Sequence, residues 1–253
     1  MNTHLYLERI GLNGTRLAAD EESLALIHRQ HLLHVPFENL DIHWNRPIVL
    51  DTEKFYCKIV SGKRGGFCYE LNGAFNVLLR SLGFQTRIVS ARVFGAERGF
   101  GPEFDHAAII VTIGEIEYLA DVGFGDFTAG PLRLVPDIEQ PDREGIFVLR
   151  RGDPGTLVVE KRIDEAWVPQ YSFSLLGRDL SEFSEMCDFQ QYSPTSHFTQ
   201  GKVCSIMTGS GRKTLTDSRL IVTEHGERSV TDVDSEELFD RLLNDEFGIK
   251  RLQ

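Results

Sequence analysis

The sequence predicts an α+β protein, and three observations carry that reading. Apolar residues recur at helical spacing up to about residue 85, they alternate at strand spacing from 86 to about 200, and residues 201–253 mix short strands with one final helix. The expected organisation is therefore a helical region over 1–85, a strand region over 86–200 and a mixed region over 201–253. At 253 residues the chain is long for one core, and two or three small units sharing an interface fit it.

In the first region, Asp20 is placed to cap a helix that runs to His34. Its apolar face is Leu24, Ile27, Leu32 and Leu33, and Pro36 stops it. A second, more apolar helix opens at Cys68 and carries Leu71, Phe75, Val77, Leu78, Leu79 and Leu82, with Gly83 as its stop. The strand region is best read at 88–94, 106–113, 116–123, 145–150, 156–162 and 168–173, with Gly152-Asp153-Pro154-Gly155 as a turn. Antiparallel strands of this length suggest a small barrel or closed sheet. The third region has a strand at 219–223 and a helix in which Asp234 and Glu237 resemble a capping pair. Leu238, Leu242 and Phe247 form its face and Gly248 ends it.

Composition narrows the function. A net charge of −11 argues against nucleic acid, whose phosphates demand a basic surface, and weakly against anionic membranes. No apolar run reaches the roughly 18 residues of a membrane-spanning helix, and the N-terminus carries acid and base too early for a signal peptide. The four cysteines, at 57, 68, 187 and 204, show no paired spacing, which points to reduced thiols and a cytoplasmic setting. His28, His31 and His34 recur every third residue, but no carboxylate is placed to join them, so no metal site is read.

The chemistry concentrates around Cys68. In Arg64-Gly65-Gly66-Phe67-Cys68-Tyr69-Glu70-Leu71-Asn72, two glycines allow a tight turn and substrate approach, and the cysteine sits at a helix N-terminus. Unpaired N–H groups and the helix dipole there favour a thiolate, so a lowered pKa and a working nucleophile are expected. A base follows in a hairpin. Strand 106–113 and strand 116–123 are joined by Gly114-Glu115, a two-residue loop with glycine first, as a type II′ turn requires. If that turn sets the register, Ile113 faces Ile116, Ala108 faces Asp121 and His106 faces Gly123. His106 and Asp121 then share one face as diagonal neighbours. Cys68, His106 and Asp121 thus read as nucleophile, base and orienting carboxylate. Papain-like proteases carry asparagine third and their histidine much further downstream. A cysteine at a helix start, followed by histidine and aspartate on adjacent strands, looks like the transglutaminase-like plan.

These segments resemble the arylamine N-acetyltransferase family. The nucleophile motif at 64–72 is joined by Val35-Pro36-Phe37-Glu38-Asn39-Leu40, Phe104-Asp105-His106, Leu119-Ala120-Asp121-Val122-Gly123-Phe124-Gly125 and Ser193-Pro194-Thr195-Ser196-His197-Phe198. The resemblance spans roughly residues 1–210. It implies a helical bundle, a central antiparallel β-barrel and a C-terminal α/β lid with coenzyme between. It also implies ping-pong acetyl transfer from acetyl-CoA, as co-substrate, to arylamines, arylhydrazines or N-hydroxyarylamines. Aromatic walls for such an acceptor are expected from Phe37, Phe94 and Phe124 beside the motifs. The coenzyme phosphates are expected at the turn holding Gly125, with charge from Lys213 among Lys202, Arg212 and Arg219. Arg64 and Glu38 are read as a buried structural ion pair. A transglutaminase-like enzyme or a thioester or amide hydrolase could use the same triad, so that alternative stays open; against it stand the Pro-Phe-Glu-Asn element and the lack of an acidic calcium loop.

Overall fold

Helices dominate the first third of the structure, a computed structural model that describes residues 1–251. Helices α1 (Thr3–Arg9) and α2 (Glu21–His34) are each capped by the side chain before them. Asn2 accepts from the Leu5 N–H at 3.2 Å, and Asp20 accepts from the Ser23 N–H at 2.8 Å. Strand β1 (Phe37–Glu38) follows, then the short α3 (Leu40–His43) and α4 (Thr52–Tyr56), the latter continued by a π turn over Cys57–Ser61. Helix α5 (Cys68–Ser81) is the centre of the region, with Leu71, Phe75, Leu78 and Leu79 fully buried.

The strands β2 (Gln85–Gly95), β3 (Gly99–Phe100), β4 (His106–Ile113), β5 (Ile116–Ala120), β6 (Leu132–Arg133), β7 (Gln140–Asp142), β8 (Gly145–Arg151), β9 (Thr156–Ile163) and β10 (Ala166–Gly177) make one antiparallel sheet. Its order is β6-β5-β4-β2-β10-β9-β8-β7, with β3 beside β2. The chain leaving β6 bridges Pro136 to Leu149 of β8, so the sheet curls into a nearly closed barrel. Strand β4 shows how one strand serves two cores. Ala107, Ile109 and Val111 pack on the helices, whereas Ala108 and Ile110 point into the barrel with Phe147, Tyr171 and Phe173.

After β10 come a 3₁₀ turn (Leu180–Phe183), α6 (Ser184–Tyr192) and α7 (His197–Gln200). Strands β11 (Val203–Met207), β12 (Gly211–Thr216), β13 (Arg219–Glu224) and β14 (Glu227–Asp232) then form a second antiparallel sheet, closed off by α8 (Glu236–Phe247). Its first strand is β1 from the helical third, so Phe37 and Glu38 tie the two ends of the chain together. Helix α8 begins one residue later than the sequence suggests. Ser235, not Asp234, accepts from the Leu238 N–H at 3.2 Å. Its buried residues are Phe239 and Leu243, and Leu238, Leu242 and Phe247 pack along the edge of that core.

Candidate active site

The hairpin register is the one the turn predicts. Ile113 faces Ile116 and Ile109 faces Ala120, with Gly114 at a φ of 61° in the turn. Strand β5 ends at Ala120, and Asp121 bends back to meet the first residue of β4. His106 Nε2 donates to Asp121 Oδ2 at 2.7 Å. Nδ1 is therefore the ring nitrogen left for Cys68. Cys68, the first residue of α5, and His106 line one cavity of about 260 Å³ where the helical region, the barrel and the second sheet meet.

Asp121 is fully buried and accepts four hydrogen bonds. Tyr171 Oη donates to Oδ2 at 2.9 Å; Asn72 Nδ2 and the Gly123 N–H donate to Oδ1 at 2.8 and 2.9 Å. Burial alone pushes this carboxyl up. The His106 charge and the hydrogen bonds from His106, Asn72 and Gly123 outweigh it, and the group lies below its ordinary range. Asn72 also donates to the Ala107 carbonyl at 2.6 Å and accepts from the Val122 N–H at 3.0 Å, which pins α5 to the hairpin. Behind Asp121 lies His28, fully buried. Its Nδ1–H donates to the Ala129 carbonyl at 3.2 Å, and Nε2 accepts the Asp121 N–H at 3.2 Å. Burial lowers its pKa and keeps the ring neutral. Asn72, Tyr171 and His28 escaped sequence reading because their partners lie 49 to 93 residues away.

The sulfur departs from expectation. Burial pushes the Cys68 thiol well up, and Asp105 and Asp121 add to that; the Ala107 N–H on the neighbouring strand pulls the other way. Desolvation thus outweighs the helix N-terminus, and a lone thiolate is not stable here. The glycines also have another role than substrate access. A Cβ on Gly65 would lie 1.9 Å from the Pro36 carbonyl oxygen, so this position lets the nucleophile loop lie against the chain entering β1. A Cβ on Gly123 would come within 2.9 Å of the Cys68 Cα, so the loop after β5 rests directly on the start of α5.

Of the three expected aromatic walls, two line the cavity. Phe37 lies 6.1 Å from Phe198, ring to ring, and Phe124 packs edge-on to His106 at 5.2 Å and against Tyr171 at 5.0 Å. Phe94 does not line it. Side chains alternate along β2, so Val93 faces the cavity and Phe94 pairs with Phe100 on β3 at 5.3 Å. Asp105, Gly123, His197, Phe198 and Val203 complete the lining. Burial raises the Asp105 carboxyl, which accepts from Gln190 Nε2 at 2.7 Å.

The expected coenzyme contacts divide similarly. Gly125 stands in the loop after β5 at a φ of 95° with open space beside it. Lys213 is turned away: its Nζ donates to Glu246 of α8 at 2.6 Å. Its neighbour Arg212 points to the other face of β12, where Nε lies 3.9 Å from Asp126 in the Gly125 loop. Arg212 Nε and Nη2 are buried with no hydrogen-bond partner. Lys202 is engaged by Glu236 and Asp217. The Glu38–Arg64 pair is as read: Arg64 Nε and Nη2 donate to Glu38 Oε1 at 2.9 and 2.6 Å, both residues buried.

A cysteine opening a buried helix, a histidine and aspartate paired on the adjoining hairpin and an aromatic cavity make up an α+β fold of the transglutaminase-like plan. Comparison with known proteins narrows this. Residues 20–252 match the N-acetyltransferase family. The arylamine N-acetyltransferase of Escherichia coli is 32% identical over 251 residues, covering 96% of this chain and 87% of its own. The arylamine N-acetyltransferase structure from Salmonella typhimurium superposes with a TM-score of 0.92 at 29% identity, over 98% of this chain and 90% of its own. That of Mycobacterium marinum, solved in complex with CoA, gives 0.90 at 28% identity, over 98% and 93%. The chain belongs to the arylamine N-acetyltransferase family and is an acetyltransferase.

Proposed function

We propose that this enzyme moves an acetyl group from acetyl-CoA to the nitrogen of an arylamine or arylhydrazine, or to the oxygen of an N-hydroxyarylamine, through an acetyl-cysteine on Cys68. The observation that carries the reading is the 2.7 Å contact of His106 Nε2 with buried Asp121, with Nδ1 left for a cysteine in the same cavity. Cys68 passes its proton to His106, and the thiolate attacks the thioester carbonyl. The tetrahedral adduct expels the coenzyme thiolate, which takes the proton from His106. The amine then attacks acetyl-Cys68, His106 accepts its proton, and the Cys68 thiolate leaves. Asp121 stays ionised throughout and stabilises the imidazolium. Thioester exchange is close to balanced in energy, so a dry cavity and a good thiolate do most of the work.

Phe37, Phe124 and Phe198 would hold the acceptor ring. For the coenzyme phosphates, the free N–H groups of the loop at Gly125 and the two unpartnered nitrogens of Arg212, whose Nη1 already donates to Ser205, are the better-supported partners, with Lys213 set aside. In this reading residues 1–85 bring the nucleophile, 86–200 the base and 201–253 the lid over the coenzyme. Four free thiols support a reducing, cytoplasmic setting. The test is to incubate the protein with acetyl-CoA alone and weigh it. Retention of one acetyl group on Cys68, discharged by an added arylamine, is the expected result. Continuous coenzyme release without an acceptor would make it a hydrolase, and no change would remove the proposal.

A further inference from the structure

A second cavity, larger than that around Cys68, lies elsewhere. It measures about 710 Å³ and shares no residue with the cavity around Cys68. Its walls come from the α3–α4 connection, α4 with its π turn, and the segment after α8. The π turn, closed by the Gly62 N–H on the Cys57 carbonyl at 2.8 Å, interrupts the regular helix on this wall.

The charge of this cavity opposes that of the chain. Lys58 and Arg64 form its floor and are held by Asp41, Glu70 and, behind them, Glu38, so the floor is fixed and has no cation to spare. Around it stand Arg46, Lys54 and Lys250, all exposed. Arg46 only grazes Asp41 at 3.9 Å, and among the described residues neither Lys54 nor Lys250 has a carboxylate within ion-pair distance. A protein of net charge −11 thus keeps three cations around one concave surface, where their mutual repulsion is uncompensated. Between rim and floor lie the apolar Ile48, Phe55 and Ile249. Cationic rim, apolar wall and rigid polar floor together match an amphipathic small anion.

We propose that this cavity is a second ligand site, for a small organic anion: an apolar ring or short chain carrying a phosphate or carboxylate. The anionic group would lie among Arg46, Lys54 and Lys250, and the apolar part against Ile48 and Ile249. The site is independent of acetyl transfer, so its failure leaves the proposed reaction untouched.

The test is calorimetric titration of the full-length protein with 1-naphthyl phosphate at low salt. Both samples carry Cys57→Ser, because Cys57 is exposed and lines this cavity, and the companion has Cys68 alkylated by iodoacetamide. Saturable one-to-one binding to both samples is expected, weakened on the order of tenfold in Arg46→Glu/Lys54→Glu and weakened again by added salt. These rim residues are exposed, so the variant keeps the fold, which circular dichroism checks. Absence of saturable binding overturns the proposal. So does binding that ignores the rim substitutions, or binding lost on Cys68 alkylation or displaced by coenzyme A, which would place the anion in the cavity of the triad.

Discussion

Two buried ionic clusters flank the start of α5, and they are built on opposite rules. On the barrel side, Asp121 is the single carboxylate, and its partners are one imidazole, one amide, one phenol and one backbone N–H. On the other side, three carboxylates, Glu38, Asp41 and Glu70, share two cations, Lys58 and Arg64. Neither of those cations gives up a proton near neutral pH: Arg64 is raised, and the three carboxylates carry Lys58 up against its burial. The second cluster therefore has nothing to exchange and can only hold the loop 64–67 in place. Glu70 shows this, because besides Lys58 it accepts the Phe67 N–H at 3.1 Å, capping the helix that starts at Cys68. The first cluster instead contains an imidazole, a side chain whose two nitrogens can take up and hand on a proton. Chemistry follows the group that can change its charge, and scaffolding follows the groups that cannot.

The sharpest test of this contrast lies between the clusters. Cys68→Ser should abolish acetyl transfer with little change in unfolding free energy, since a hydroxyl at this site lacks the thiol's acidity. Urea denaturation beside a single-turnover assay reads both; retained transfer would move the nucleophile elsewhere. Arg64→Ala should do the reverse. It strands Glu38 without its strongest partner and leaves Asp41 with Lys58, a loss of about 3–5 kcal/mol for a broken buried pair. Whatever Arg64→Ala protein stays folded should still acetylate Cys68. If Arg64→Ala leaves stability alone and removes acetylation, the division between scaffold and chemistry is wrong.

Asp121→Asn comes next. It keeps the shape but removes the anion that stabilises a buried imidazolium, a charge-assisted contact of roughly 1.5–3 kcal/mol. Acetylation should slow by at least about tenfold. Superimposable pH profiles of single-turnover acetylation for wild type and Asp121→Asn would reduce Asp121 to a strand-end residue.

The two clusters should also differ in how pH acts on stability. The Asp121 carboxyl is depressed in the folded protein, so its contribution is present above its unfolded pKa and is lost only as pH falls through the folded value. Glu70 is raised, chiefly by burial and despite Lys58. Ionised Glu70 therefore costs stability at neutral pH, and the protein recovers it as pH falls through the raised pKa. Relative to Glu70→Gln, wild type should gain stability on moving from pH 7 into the acid range. Relative to Asp121→Asn, it should lose stability, and only at still lower pH. Each slope is bounded by about 1.4 kcal/mol per pH unit. Parallel slopes for the two variants in urea titrations would erase the distinction.

What was legible in the sequence follows the range of the interaction. The His106–Asp121 pair was readable because one turn, Gly114-Glu115, fixes the register of both strands, and Cys68 because two glycines and a following apolar run place it at a helix start. Phe94 was misjudged by one position, since composition near a motif does not say which side of β2 faces the cavity. Strand β14 gave no alternation to read, because all six of its residues are exposed. The pairing of β1 with β11 joins residues far apart in sequence, and no local pattern reports it. The rise in the Cys68 pKa is equally invisible, since helix position is written in the sequence and desolvation is not.

The smallest expected effect extends the same rule to the coenzyme. Lys213 and Arg212 are adjacent, similarly charged and on one strand, yet Lys213 is paired with Glu246 while Arg212 keeps two buried nitrogens unpartnered beside the loop of Gly125. Unsatisfied buried donors are costly, and a structure that keeps them usually has an acceptor to supply from outside. A coenzyme phosphate reaching Arg212 would also have to displace Asp126, which is largely exposed and free to swing away. That competition lowers the gain from the usual range for a charged hydrogen bond to about 1 kcal/mol. Arg212→Ala should therefore raise the KM for acetyl-CoA about fivefold, leaving the rate at saturation nearly unchanged. Lys213→Ala should change KM by less than about twofold, because a partly exposed pair with Glu246 contributes little and binds nothing. Asp126→Ala supplies the converse: with that ion pair gone, Arg212 should hold acetyl-CoA more tightly. If Lys213→Ala weakens acetyl-CoA more than Arg212→Ala does, the coenzyme lies on the α8 side of β12, and the unpaired guanidinium serves the fold alone.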